Sequence, residues 1–110
     1  MDDLEEFSVQ LVRLNGAMKE LFDKGDIKLF TEMNAAIKEL HAIEKRTDSK
    51  AVKGCSKNLG IIYENFDMII KVLRTTEDGE IDPAAQGAIN HFLHNIDTAV
   101  LGIATFLQLI

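Results

Sequence analysis

Apolar residues recur along this chain at alternating steps of three and four, in four stretches separated by polar or helix-breaking residues. The first stretch carries Leu4, Phe7, Leu11, Leu14, Met18 and Leu21, which form one stripe along a helix over about 3–23. "DKGD" follows, with Gly25 suited to a helix end and Asp26 to the next N-cap. The second stripe runs through Phe30, Met33, Ile37, Leu40 and Ile43 and predicts a helix over about 26–46. The third, capped at Asp48 or Ser49, is Val52, Cys55, Leu59, Ile62, Phe66, Ile69 and Leu73, a helix over about 49–74. Gly54 and Gly60 lie inside it at up to about 1 kcal/mol each relative to Ala. They mark an irregular first turn or a close approach of another backbone. Asp82 followed by Pro83 is a strong helix start, and Ala85, Ile89, Phe92, Ile96, Ala99, Ile103, Phe106 and Ile110 give the fourth stripe, over about 83–109.

No stretch alternates with the period of two that a half-buried strand requires. Three connections join the four stripes, the longest being "RTTEDGEIDP" at 74–83. The pattern predicts an all-α protein: a single domain over 1–110, folded as an antiparallel up-down-up-down four-helix bundle.

Composition narrows the function classes. At 46% hydrophobic and 27% charged residues the chain falls in the globular range, and its one proline leaves long helices free to form. The lone cysteine permits no internal disulfide and fits a reducing compartment. The net charge of −6 is uneven. Residues 1–24 carry six acids against three bases, 25–47 four against four, 48–75 three against five, and 76–110 five acids without Lys or Arg. A nucleic-acid surface needs clustered bases, so none is expected. "MDDLEEF" cannot be the basic start of a signal peptide, and no apolar run reaches the length of about 18 residues that spans a bilayer. The expectation is a cytoplasmic protein without membrane insertion.

Candidate chemistry is sparse. Cys55 falls on the buried stripe, whereas a reactive thiol wants electropositive, partly exposed surroundings, so it reads as a core residue. His91, His94 and Asp97 neighbour one another along the fourth helix, as His41 and Glu44 do along the second. Two such faces could bind a metal if they met, which gives a metal-binding bundle as one alternative. Diiron bundles, however, use Glu-x-x-His pairs, which the chain lacks. There is no glycine-rich phosphate loop, no Gly-x-Ser-x-Gly and no zinc spacing. The expectation is a non-enzyme with no cofactor and no metal. "KAVKGCSKNLG" (50–60) resembles the His-x-x-Lys-Gly pattern of phosphotransfer domains, with Lys50 where the phosphorylated His would stand. A signalling or immunity-type bundle, including a phosphotransfer-like domain lacking its His, is therefore a second alternative.

The best functional handle is a surplus of apolar residues in the second half. "TAVLGIATFLQLI" closes the chain without a charge. Val100, Leu101, Ala104, Leu107 and Leu109 fall outside the narrow seam of the fourth helix, and Ile61, Tyr63, Met68 and Ile70 outside that of the third. A large exposed apolar patch marks a partner surface. Covering about 400 Å² is worth on the order of 10 kcal/mol gross, before association costs remove much of it. Ile61, Met68, Ile70, Val100, Leu101, Ala104 and Leu107 are the expected partner-binding residues. Their occupant would be an amphipathic helix of another protein, or a second copy of the chain joined through the C-terminal helix. Acidic rims on the first and last helices favour a basic or neutral ligand.

Three stretches resemble the flagellar secretion chaperones of the FliS family. "KGDIKLFTEMNAAIKELHAI" (24–43) is similar to that family's Gly-Asp followed by an apolar-periodic helix. "KNLGIIYENFDMII" (57–70) is similar to its Asn-Leu-x-x-(Leu/Ile)-Tyr segment, and "AAQGAINHFLHNIDTAV" (84–100) sits where the family has its closing helix. The resemblance covers about residues 4–100. It implies an antiparallel helical bundle with apolar grooves, along which an aggregation-prone export substrate folds into helices.

Overall fold

A computed structural model describes residues 2–25, 28–75 and 81–108. The described residues are helical, with five helices in the order α1 (Asp3–Lys24), α2 (Leu29–Arg46), α3 (Lys50–Lys53), α4 (Ser56–Thr75) and α5 (Pro83–Phe106). Their ends follow from local chemistry. The Asp2 carboxylate accepts the Glu5 N–H at 2.8 Å, and Asp3, Glu5 and Glu6 place negative charge at the positive end of the α1 dipole. Gly25 closes α1 in the left-handed conformation (φ 64°) and donates its N–H to the Leu21 carbonyl at 2.8 Å. Asp26, the expected cap of the second helix, lies outside the described residues, and α2 begins at Leu29. Asp82 caps α5 through the Ala85 N–H at 2.7 Å, with Pro83 in the first turn.

The expected third helix is broken. Ser49 caps the single turn α3, accepting the Val52 N–H, and α4 starts afresh at Ser56. The break falls at Gly54, where an added Cβ would stand 2.8 Å from the Phe106 ring. The chain bends there so that an aromatic ring from the far end of α5 can lie against bare backbone. Gly60, by contrast, sits in open helix with nothing within 4 Å of a Cβ position.

Two helix pairs carry most of the packing: α1 lies along α2, and α4 along α5. Both pairs are antiparallel. Arg46 at the end of α2 reaches Glu6 and Asp3 at the start of α1, while Asn95 Nδ2 of α5 donates to Asn65 Oδ1 of α4 at 3.0 Å and Gly102 faces Asn58. Lesser contacts join α1 to α5, α2 to α4 and α1 to α3. The core takes the expected stripes of the first three stretches almost unchanged, except that Leu4 is exposed and Leu73 half-buried.

The fourth stripe is corrected. α5 buries Ile89, Leu93, Ile96, Ala99, Val100, Ile103 and Ala104, so its inward face is turned toward Leu93, Val100 and Ala104. Phe92 is half-buried and Phe106 is 58% exposed; Ile110 lies outside the described residues. Small residues explain the turn. Ala99, Gly102 and Ala104 let α5 approach its neighbours more closely than a face of Phe92 and Phe106 would permit. Two expected partner-binding residues are thereby overturned, since Val100 is 3% and Ala104 8% exposed, both inside the core.

Leu101, one residue on from Val100, is 50% exposed. Leu101→Asp is therefore expected to change unfolding free energy by about 0.5 kcal/mol or less, whereas Val100→Asp, which buries an unpaired carboxylate, should cost about 3 kcal/mol or more. Urea denaturation of the two variants followed by circular dichroism measures both.

Candidate functional site

Where α2 and α4 meet, the contact is sparse and a groove of about 750 Å³ opens between them. Its floor is apolar: Phe30 and Ile37 from α2, and Phe66, Ile70 and Leu73 from α4. Thr31, Asn34, Lys38 and His41 line one side, Tyr63, Asp67 and Arg74 the other. The helices run in opposite directions, so Phe30 and Arg74 share one end while His41 and Tyr63 share the other. From Phe30 to His41 the groove extends about 16 Å, about three helical turns.

The His41–Tyr63 end is closed by a small polar cluster. The Tyr63 hydroxyl donates to Glu44 Oε1 at 3.0 Å, and the His41 ring stands edge-on to the Tyr63 ring with centroids 5.0 Å apart. Burial, the hydrogen bond to Glu44 and the charge of that carboxylate, in that order, push the Tyr63 hydroxyl far above its usual range. It stays protonated and serves as a donor. Nearby, Cys55 is buried and its thiol donates to the Ala51 carbonyl at 3.4 Å. Burial first, and the Glu44 charge second, raise its pKa. These surroundings suppress the thiolate that nucleophilic chemistry requires, so Cys55 belongs with the core.

The expected partner-binding residues do not share one surface. Ile70 lines the α2–α4 groove. Ile61 lines a separate depression between α4 and α5, with Asn58, Asn65, His94 and Asn95. Met68 is exposed beside Glu64, Asp67 and Lys71. Leu101 is exposed on α5, and Leu107 is half-buried just beyond that helix's end. Sequence reasoning singled out Ile70 and Tyr63 as off-stripe but assigned Phe30, Ile37 and Phe66 wholly to the core. The groove forms because those residues are core at their base and accessible along one edge.

His91, His94 and Asp97 lie on α5, away from His41 and Glu44 on α2, and among the described residues no three His, Cys, Asp or Glu side chains gather as a metal site. Lys50 opens the one-turn α3 rather than sitting within a long helix. No described helix is long and apolar enough to cross a membrane. Comparison of the chain with protein-family models, with curated proteins and with solved structures gives no match.

Tyr63 and Cys55 make a checkable pair. Each has a folded-state pKa above its unfolded value, so the stability tied to protonation is complete at neutral pH and lost as pH rises past the unfolded values of 9.0 for Cys55 and 10.0 for Tyr63. Tyr63→Phe should cost about 1 kcal/mol at pH 7 by removing the bond to Glu44. It should also flatten the alkaline decline, as measured by urea midpoints at a series of pH values.

Proposed function

We propose that this protein is a non-enzymatic helical bundle that binds an amphipathic helix of another protein, in the manner of a cytoplasmic secretion chaperone shielding an aggregation-prone segment. Its architecture is read as an antiparallel up-down-up-down four-helix bundle, with α3 a one-turn lead-in to α4. The neighbour pattern supports this: α1 beside α2 and α5, and α4 beside α5 and α2. The groove between α2 and α4 carries the functional reading. It is elongated, apolar at the floor and open along its length, which is the form a helix-in-groove partner requires. Such a partner would supply residues at i, i+4 and i+7 to the surface formed by Phe30, Ile37, Phe66 and Ile70. It would complete the packing that α2 and α4 leave unfinished. The resemblance to flagellar secretion chaperones agrees with an occupant of this kind.

Of the expected site residues, Ile70 is the one this reading retains in the groove. Leu101 and Met68 remain as exposed apolar positions on other faces.

The test is a titration of isotope-labelled protein with a synthetic peptide of about 14 residues bearing leucines at helical spacing and otherwise Ala and Gln. Resonance shifts are expected at Phe30, Ile37, Phe66 and Ile70. Ile70→Asp should weaken binding by about tenfold or more while circular dichroism shows helicity retained; Ile70→Ala serves if the charged variant unfolds. Shifts concentrated at Leu101, or none at any peptide concentration, would overturn the groove as the binding site.

A further inference from the structure

A helix seated between α2 and α4 presents its flanks to the groove rim, and the charges there select among partners. Over the whole chain the net charge is −6, which taken alone favours a basic ligand. The described residues that line the groove carry the opposite balance, with Lys38 and Arg74 against Asp67. Lys38 from α2 and Arg74 from α4 both line it and are exposed, and among the described residues neither enters an ion pair. The carboxylate that lines the groove, Asp67, is held by Lys71 at 3.2 Å. Glu44, beside the closed end, accepts the Tyr63 hydroxyl. Among the described residues, Asp67 and Glu44 thus each have a partner within the protein, while Lys38 and Arg74 stay exposed at the edge of an apolar floor.

We infer that the α2–α4 groove selects an acidic amphipathic helix of about three turns, with Asp or Glu flanking its apolar stripe to meet Lys38 and Arg74. The inference rests on the groove reading proposed above and adds the chemical class of its occupant. Antiparallel packing puts Arg74 level with Phe30, so Lys38 lies about 12 Å further along the groove. Two carboxylates seven or eight residues apart on one helix match that separation, at about 1.5 Å rise per residue. Arg74 offers a planar fork that can take a carboxylate bidentately, which fixes the direction in which the helix lies. A basic helix of the same apolar pattern would place ammonium groups against Lys38 and Arg74 and lose affinity through like-charge repulsion.

Two fluorescent peptides with one leucine stripe, flanked in one case by Glu and in the other by Lys, are titrated against the full chain. The Glu peptide is expected to bind about tenfold more tightly, with the preference shrinking at about 0.5 M salt as the exposed charges are screened. In the double variant Lys38→Glu/Arg74→Glu the preference should invert; both substitutions fall on exposed side chains, and circular dichroism checks that the fold is kept. Equal binding of the two peptides, with both weakened by Ile70→Asp, would overturn the acidic selectivity and leave the groove reading standing. So would preference for the Lys peptide. Failure of both peptides to bind would overturn the groove reading and this inference together.

Discussion

The close seam between α4 and α5 is the constraint on which the rest of the arrangement depends. Its closeness comes from missing side chains. At Gly102 an added Cβ would stand 3.0 Å from the Asn58 amide, and at Gly54, in the break just before α4, it would stand 2.8 Å from the Phe106 ring of α5. The seam is also fixed in register by the Asn65–Asn95 bond, because sliding the helices would leave half-buried amides without that partner. A helix held along its length by one neighbour has limited freedom to follow another. α4 therefore follows α5, and its meeting with α2 is what remains.

That remaining meeting is between large residues. Phe30 and Ile37 face Phe66 and Ile70 across the α2–α4 groove, and bulky side chains hold helix axes further apart than Ala or Gly do. α2 is meanwhile bound to α1 through a stripe of Phe, Met, Ile and Leu, with Arg46 reaching Asp3 and Glu6 at the exposed rim. Such exposed ion pairs add little energy, so the burial of that stripe is what fixes α2. Two tightly made pairs set side by side leave a seam whose width follows from its largest members. The Glu44–Tyr63–His41 cluster closes one end with a hydroxyl that stays neutral and donates, and Phe30 and Arg74 line the other.

The sequence made the stripes of the first three stretches legible because polar residues interrupt the other faces and leave one apolar stripe longer than any other, although Val9, Val12 and Phe22 on α1 and Met68 on α4 are apolar and stay exposed. On α1, Arg13, Lys19 and Glu20 rule out the alternatives to Phe7–Leu11–Leu14–Met18–Leu21. α5 gave no such guidance. From Ala99 to Leu107 only Thr105 is polar, so periodicity alone could not choose between a face centred on Phe92 and Phe106 and one centred on Leu93 and Val100. Side-chain size made the choice, since Ala99 and Ala104 permit an approach that Phe106 forbids. The break at Gly54 was visible as a misplaced glycine, but its use depends on a ring that arrives from residue 106. The groove was illegible for a similar reason. Periodicity shows which face a helix buries and carries nothing about the distance to a helix it meets across the fold.

Charge gives the last step. Residues 48–75 were the one stretch with more bases than acids, too few to hold nucleic acid and easily passed over in a chain of net charge −6. Folding divides those bases by role. Lys71 is drawn to Asp67 one turn earlier, while Arg74, in the last turn of α4, lines the groove. Lys38 comes from a stretch whose charges balance, yet its helix turns it toward the same rim. A sum over the chain averages these positions with the acids at the start of α1 and beyond residue 75. Exposed charges separated by more than a Debye length, about 8 Å at physiological ionic strength, act largely independently. A ligand lying between α2 and α4 therefore meets Lys38 and Arg74 rather than the net charge of the protein.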